Sequence, residues 1–257
     1  MKKILVCSDL HCGHKIGLTP PAFYSPKKTE LGKLQRELYS FFEKEVQGCG
    51  EFDAAFWLGD LIDGRGRRSG GVEQITTDML EQCKIAESCI KTVKLKEKGK
   101  HFIVRGTPYH VGDEEDFENV IAEKFNAEIS DHGWVDVNGV IFDLKHKVGG
   151  SGIPHGRHTA IAKEKVWNML WAEKDYNPKA NIFLRGHVHY FNYCGGDGWF
   201  GATMPALQGP GSKYGARQCS GTVDFGFLVF NINEKGGWSW ESHLLKIRAG
   251  RITASKV

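Results

Sequence analysis

Ile182-Phe183-Leu184-Arg185-Gly186-His187-Val188-His189 is the stretch on which the reading of this chain turns. Ile182-Phe183-Leu184 reads as a buried strand. Gly186 lets the chain turn sharply at its end. Two imidazoles come next, at i and i+2. In an extended segment both would point to one face, because side chains alternate with period two. They could serve one metal ion, or one ion each of a close pair. Such a pair is common in ordinary strands, and a lone histidine is more often structural. Its weight comes from the residues upstream.

The same arrangement recurs along the chain. Ile4-Leu5-Val6-Cys7 reads as a buried strand that ends in Ser8-Asp9-Leu10-His11. Ala54-Ala55-Phe56-Trp57-Leu58 delivers Gly59-Asp60-Leu61-Ile62-Asp63. Phe102-Ile103-Val104 ends in Arg105-Gly106-Thr107-Pro108-Tyr109-His110. Trp134 to Val137, Asn138-Gly139 and Val140 to Leu144 carry a hairpin signal with a primed turn, and the second strand runs into Lys145-His146. Ligands collect at the carboxyl ends of strands in layered α/β folds. Hard carboxylates with imidazoles and no thiolate suit Mn²⁺, Fe or Zn²⁺ in a hydrolytic site. Six such residues at strand ends outweigh the structural reading that each would have alone. Asp63 reads as a supporting or turn residue. His155 and His158 read as loop or substrate-side residues, with His155 the replacement should His146 point away.

The chain of 257 residues is long enough for one domain with a substantial core, and residues 1–257 are read as that single domain. Apolar content of 40% and charged content of 25% are ordinary for a soluble globular protein. A net charge of +3 neither demands nor excludes nucleic acid. Seven scattered cysteines without a CxxC pair argue against a zinc ribbon and for free thiols in a reducing, cytoplasmic compartment. The apolar run after Met1-Lys2-Lys3 is too short for a signal peptide, and no stretch reaches transmembrane length.

Between the strands, Thr29 caps a helix whose stripe is Leu31, Leu34, Leu38, Phe41 or Phe42 and Val46, ended by Gly48 and Gly50. Val72, Ile75, Met79, Cys83, Ala86, Ile90 and Val93 form a second stripe, which closes in solvated sequence from Lys94 to Lys100. Phe117, Val120, Ile121 and Phe125 form a third, with Asp113, Glu114, Glu115 and Asp116 in its first turn. A fourth helix turns Ala162, Val166, Met169 and Leu170 inward. After His189 the pattern becomes all-β, with strands at Tyr190 to Cys194, Trp199 to Thr203, Asp224 to Ile232 and Trp238 to Ile247. The loops Gly13 to Lys28, Gly149 to Gly156 and Gly209 to Gly221 are long enough to be functional. Arg65, Arg67 and Arg68 lie in a Gly-rich loop after Asp60. Guanidinium forks there suit phosphate as well as they suit a solvated loop.

In order, Asp9-Leu10-His11, Gly59-Asp60, the Gly106-Thr107-Pro108-Tyr109-His110 segment, His146 and Gly186-His187-Val188-His189 resemble the calcineurin-like metallophosphoesterase superfamily. They span the chain from Asp9 to His189. No single piece is specific; the ordered set is. A weaker resemblance, through Leu18-Thr19-Pro20-Pro21, is to phage and prophage members. The resemblance implies an α/β layered fold, a two-sheet β-sandwich flanked by helices. It implies two divalent metal ions, manganese before iron, zinc, nickel or magnesium. Asp9, His11 and His189 would hold the first, Asp60 would bridge, and His146 and His187 would hold the second. A metal-activated hydroxide would attack phosphorus.

One motif departs. Where the family has Gly-Asn-His, this chain has Gly106-Thr107-Pro108, so Thr107 stands at the position of a second-metal ligand without an amide carbonyl. His110, two residues late, is the candidate general acid, with Asp113 or Glu114 to orient it. The expected function is hydrolysis of phosphomonoesters or phosphodiesters, with nucleotide or nucleic-acid substrates favoured. Arg65, Arg67, Arg68, Lys213 and Arg217 would hold phosphate, and Phe23 and Tyr24 would stack on bases. The alternative is a weakened or non-catalytic binding protein that keeps the fold. No membrane partner is expected.

Overall fold

The computed structural model describes residues 1–112, 115–212 and 223–247. Its elements in chain order are β1 Lys2–Cys7, α1 Glu30–Cys49, β2 Phe52–Trp57, α2 Met79–Ile90, β3 Leu95–Val104, α3 Pro108–Val111 and α4 Phe117–Phe125. Next come β4 Glu128–Ser130, β5 His132–Val137, β6 Val140–Lys145, α5 Thr159–Ala172, β7 Ile182–Arg185, β8 Asn192–Gly196, β9 Trp199–Thr203, β10 Phe225–Ile232 and β11 Trp238–Leu245.

The strands form two mixed sheets, ordered β11-β10-β1-β2-β3-β4 and β5-β6-β7-β9-β8. β1, β2, β3 and β4 run parallel, as do β6, β7 and β9. The continuous apolar runs are explained by burial on both faces. Ile4, Val6, Phe56 and Leu58 pack with Phe142, Leu144, Ile182 and Leu184 between the sheets. Leu5, Cys7, Ala55 and Trp57 alternate with them and pack under α1, α2 and α4, against Leu38, Phe42, Ile85 and Ile121. The fold is therefore α/β layered, two sheets flanked by helices, as expected.

α1 follows its sequence signals: Thr29 Oγ1 accepts from Gly32 N–H at 3.0 Å, and Gly50 ends it at φ +77°. The hairpin turn has Asn138 at +53° and Gly139 at +83°.

Three expectations fail for tertiary reasons. α2 starts at Met79, because Asp78 Oδ1 caps it by accepting from Leu80 N–H and Glu81 N–H. Val72 and Ile75 stay in the preceding segment, which pairs with the first loop through Lys15 N–H to Glu73 O and Ile75 N–H to Gly13 O. The lysine-rich stretch is the start of β3, where Leu95 pairs with Phe52 and, after a bulge, Lys100 with Ala54. α5 turns Ile161 and Asn168 inward while Val166, Met169 and Leu170 face out. Asn168 accepts from Ala180 N–H, and Glu164 on the same helix binds the buried Arg185. Satisfied polar contacts, not the apolar stripe, set the orientation of α5.

Candidate metal centre

Because β1, β2 and β3 are parallel neighbours, their carboxyl ends open at one edge, and β6 and β7 do the same in the second sheet. Asp9 and His11 come after β1, Asp60 after β2, Thr107 after β3, His146 after β6, and His187 and His189 after β7. The loops are stitched together: Asp9 N–H donates to Gly59 O at 3.1 Å and His11 N–H to Asp60 O at 2.9 Å. His187 N–H donates to Asp9 Oδ2 at 3.0 Å.

The pairs at i and i+2 do not converge as extended segments. Asp9 (φ +53°), His11 (+45°), Asp60 (+50°), His187 (+74°) and His189 (+56°) all adopt the left-handed region. Each such residue costs on the order of 1–3 kcal/mol and persists only where the surroundings enforce it. Turns of this kind after β1, β2 and β7 direct these side chains towards one another. Gly186 and Gly106 make the close approach feasible. A Cβ on Gly186 would lie 2.2 Å from Ser8 Oγ, and one on Gly106 would lie 2.2 Å from Asp60 Oδ1.

The potential ligands fall into interlocking groups: Asp9, His11 and His189; Asp60, His146 and His187; and His11, Asp60 and His110. His11 Nε2 lies 3.1 Å from His189 Nε2, and His189 Nε2 lies 3.2 Å from Asp9 Oδ1. His146 Nε2 lies 3.1 Å from Asp60 Oδ2, and the His146 and His187 rings are 5.3 Å apart.

Tautomers show whether these residues fit metal ions. His146 Nδ1 donates to Leu58 O at 2.6 Å, and its buried Nε2 makes no hydrogen bond. A neutral His146 thus aims a lone pair at a carboxylate oxygen. His11 Nδ1 sits 2.8 Å from Asp63 Oδ1 and holds its proton there, so Nε2 aims a lone pair at another imidazole. These contacts need a positive charge between them, either protons or cations. Without a cation, protons supply it. Burial opposes charge on His11, but its hydrogen bond to Asp63 and the nearby Asp9 and Asp60 carboxylates prevail and raise its pKa to about 10. Burial likewise opposes charge on His146, but Asp60 prevails and raises it to about 9. Against the cost of burial, Asp9 is pushed below the usual carboxylate range chiefly by His189 and His11, and Asp60 chiefly by His146 and His110. Dense oxygen and nitrogen donors, two of them lone pairs with imidazoles oriented from behind, fit divalent cations.

Around this cluster the remaining expected residues divide. Thr107 Oγ1 lies 3.0 and 2.9 Å from the two Asp60 carboxylate oxygens, and its N–H donates to Oδ1 at 2.6 Å. His110 Nδ1 donates to Asp63 O at 2.7 Å, leaving Nε2 4.0 Å from Asp60 Oδ2. The Asp63 carbonyl thus orients the His110 ring; Asp113 and Glu114, expected in that task, lie outside the described residues. Burial lowers the His110 pKa despite the pull of Asp60. Arg68 lines the cavity over the cluster, about 370 Å³ in volume, and its guanidinium lies 5.0 Å from the Tyr109 ring centre. Arg65 and Arg67 line a neighbouring cavity on the far side of Tyr109. Phe23 and Tyr24 pack against the core beneath α1 rather than over the cavity. His155 and His158 are both exposed, His158 at the N-terminal boundary of α5 without a capping hydrogen bond from its side chain. Lys213 and Arg217 lie outside the described residues.

Sequence reasoning missed several groups. Gln74 Nε2 donates to Asp63 Oδ2 at 2.5 Å, and Gln82 accepts from Asp63 N–H and Gly64 N–H. His14, buried, lines the cavity with Gln208 and Ser212. Glu118, fully buried, accepts from Leu61 N–H at 2.9 Å and Gly106 N–H at 2.7 Å, joining the Asp60 and Thr107 loops. Burial raises its pKa to about 7, against those two hydrogen bonds. A second histidine three residues after His11 was the one available signal for His14; the glutamines and Glu118 carry none. No helix among the described residues is long and apolar enough to cross a membrane.

No protein-family model and no curated protein matches this sequence. Among solved structures, Vps29 of Entamoeba histolytica complexed with Zn²⁺ is similar at 13% identity and TM-score 0.46, covering 93% of this chain and 97% of that one. An archaeal phosphodiesterase is similar at 13% identity and TM-score 0.45, covering 93% and 99%. A predicted phosphoesterase of Streptococcus pneumoniae TIGR4 is similar at 12% identity and TM-score 0.40, covering 94% and 97%. The resemblance to phage members receives no support from these structures.

Proposed function

We propose that this protein is a metal-dependent phosphoesterase acting on phosphomonoesters or phosphodiesters, nucleotides or nucleic acid foremost. The observation that carries the reading is the gathering of Asp9, His11, Asp60, His146, His187 and His189 into two adjoining ligand groups at the strand ends, five of the six placed there by left-handed backbone. Asp9, His11 and His189 would hold one divalent ion and His146 and His187 a second, with Asp60 between them; manganese is the first metal to test. Bound there, the two ions would polarise a phosphoester and lower the pKa of water.

The chain's own residues have distinct tasks in this scheme. Arg68, beside Tyr109 on the cavity wall, binds a non-bridging phosphate oxygen. Asp63 and Leu58 O fix His11 and His146 with their Nε2 atoms inward. His110 has its Nδ1 proton committed to Asp63 O, so it transfers a proton at Nε2. Burial lowers its pKa, which makes its protonated form a stronger acid.

The test is turnover of bis-p-nitrophenyl phosphate and p-nitrophenyl phosphate with Mn²⁺, beside Asp60→Asn and His110→Ala. Metal-dependent turnover abolished in Asp60→Asn is expected. Metal binding without turnover of any phosphoester, in a fully folded protein, would instead favour the non-catalytic reading. Unchanged turnover in His110→Ala removes the proton-transfer role alone.

A further inference from the structure

The outward face of α5 is apolar. Val166, Trp167, Met169, Leu170 and Trp171 retain 43–55% exposure, and Tyr176 just beyond retains 72%. Trp167 and Trp171 stack on one another with ring centres 6.2 Å apart. Monomeric proteins rarely expose a contiguous patch of this kind without a use for it. Exposed charges close both ends of the same face, Lys163 before it and Glu173 after it. The neighbouring charges are otherwise engaged: Glu164 binds Arg185, Lys165 lies over the Phe183 and Trp199 rings, and Lys174 lies over the Trp171 ring.

We propose that this face pairs with the same face of a second copy of this chain, the two α5 helices running antiparallel about a twofold axis level with position 168. The charge pattern selects this occupant. Antiparallel pairing at that level sets Lys163 against Glu173 of the second copy, twice, and sets Val166 opposite Leu170 and Trp167 opposite Met169. A parallel pairing would set Lys163 against Lys163. A C₂ interface is self-complementary in this way. Half-exposed side chains of this size bury on the order of 500 Å² per copy, about 1,000 Å² in total, which is the lower limit for a specific interface. The expected product is a reversible, concentration-dependent dimer.

Sedimentation velocity of the full chain over a hundredfold concentration range tests it. The wild type should pass from monomer to dimer, and Leu170→Glu should raise the dissociation constant at least tenfold. Lys163→Glu and Glu173→Lys should each weaken the dimer, and the double variant Lys163→Glu/Glu173→Lys should restore it. A monomer throughout the range, a dimer indifferent to Leu170→Glu, or a double variant no better than the singles would each overturn the proposal. Exposed positions are used so that folding, checked by circular dichroism, is retained.

Discussion

Thr107 points its hydroxyl at Asp60, 2.9 Å from Oδ2 and 3.0 Å from Oδ1, and its backbone N–H reaches Oδ1 at 2.6 Å. The side chain that stands where an asparagine ligand would be expected is thus a donor to the shared carboxylate. It fixes the direction in which Asp60 presents its oxygens. Thr107→Val keeps the shape and the backbone bond but removes the hydroxyl. Losing a group that orients a ligand typically lowers metal affinity about 10–100-fold. Mn²⁺ titration by calorimetry should show a loss near the lower end of that range, because the N–H contact remains. Unchanged affinity would mean that the hydroxyl has no orienting role.

His11 is supported from behind by a relay in which its Nδ1 bonds Asp63 Oδ1 at 2.8 Å and Asp63 Oδ2 accepts from Gln74. Asp63→Ala frees the ring and removes the acceptor that selects its tautomer. We expect Mn²⁺ affinity to fall about 10–100-fold. Gln74→Leu, one step further out, should cost less. Equal losses in the two variants would show that the relay is not graded as its geometry implies.

The imidazoles make metal binding and stability depend on pH in opposite directions. In the metal-free protein the His11 pKa is raised to about 10 and that of His146 to about 9, from 6.5. A raised folded-state value stabilises the fold fully below about pH 6.5, and that contribution is lost as pH rises through 9 to 10. The metal-free melting temperature should therefore fall across that window. Cations replace those protons, so apparent Mn²⁺ affinity should rise over the same window and binding should release protons. Calorimetry in buffers of different ionisation enthalpy reads the released protons directly. Removing metal with a chelator should lower the melting temperature more at pH 9 than at pH 6.5.

How legible each feature is in the sequence depends on the range of the contacts that make it. The strands of the core could be read because both of their faces are buried, so their apolar runs are continuous. The cluster could be read because each of its members stands within a few residues of such a run. The α5 orientation could not be read: Glu164 and Asn168 are polar, and partners outside the helix, Arg185, Ala180, Asp143 and Pro178, make their burial favourable. The left-handed turns were equally hidden. Alternation suggested convergence by extended geometry, whereas Asp and His were held in strained turns by loops that bond across strands. The arginines separate because Tyr109 stands between them, and the hydrogen bond from Arg68 N–H to Tyr109 Oη at 2.9 Å joins residues 41 positions apart.

Glu118 shows how such distant contacts carry the site. Its two oxygens hold Leu61 N–H and Gly106 N–H, the backbone on either side of the Asp60–Thr107 contact. Glutamine has nearly the same shape but one acceptor oxygen, so Glu118→Gln leaves one of the two buried N–H groups facing an amide NH₂. An unsatisfied buried donor costs about 1–3 kcal/mol. The wild-type carboxyl, raised to about 7 by burial, gives stability that is full below about pH 4.5 and is lost as pH rises through 7. Glutamine does not titrate. The destabilisation of Glu118→Gln, measured by urea unfolding, should therefore be largest near pH 5, shrink as pH rises towards 7 and level off above it. A constant deficit from pH 5 to pH 8 would show that Glu118 keeps one charge state across the range.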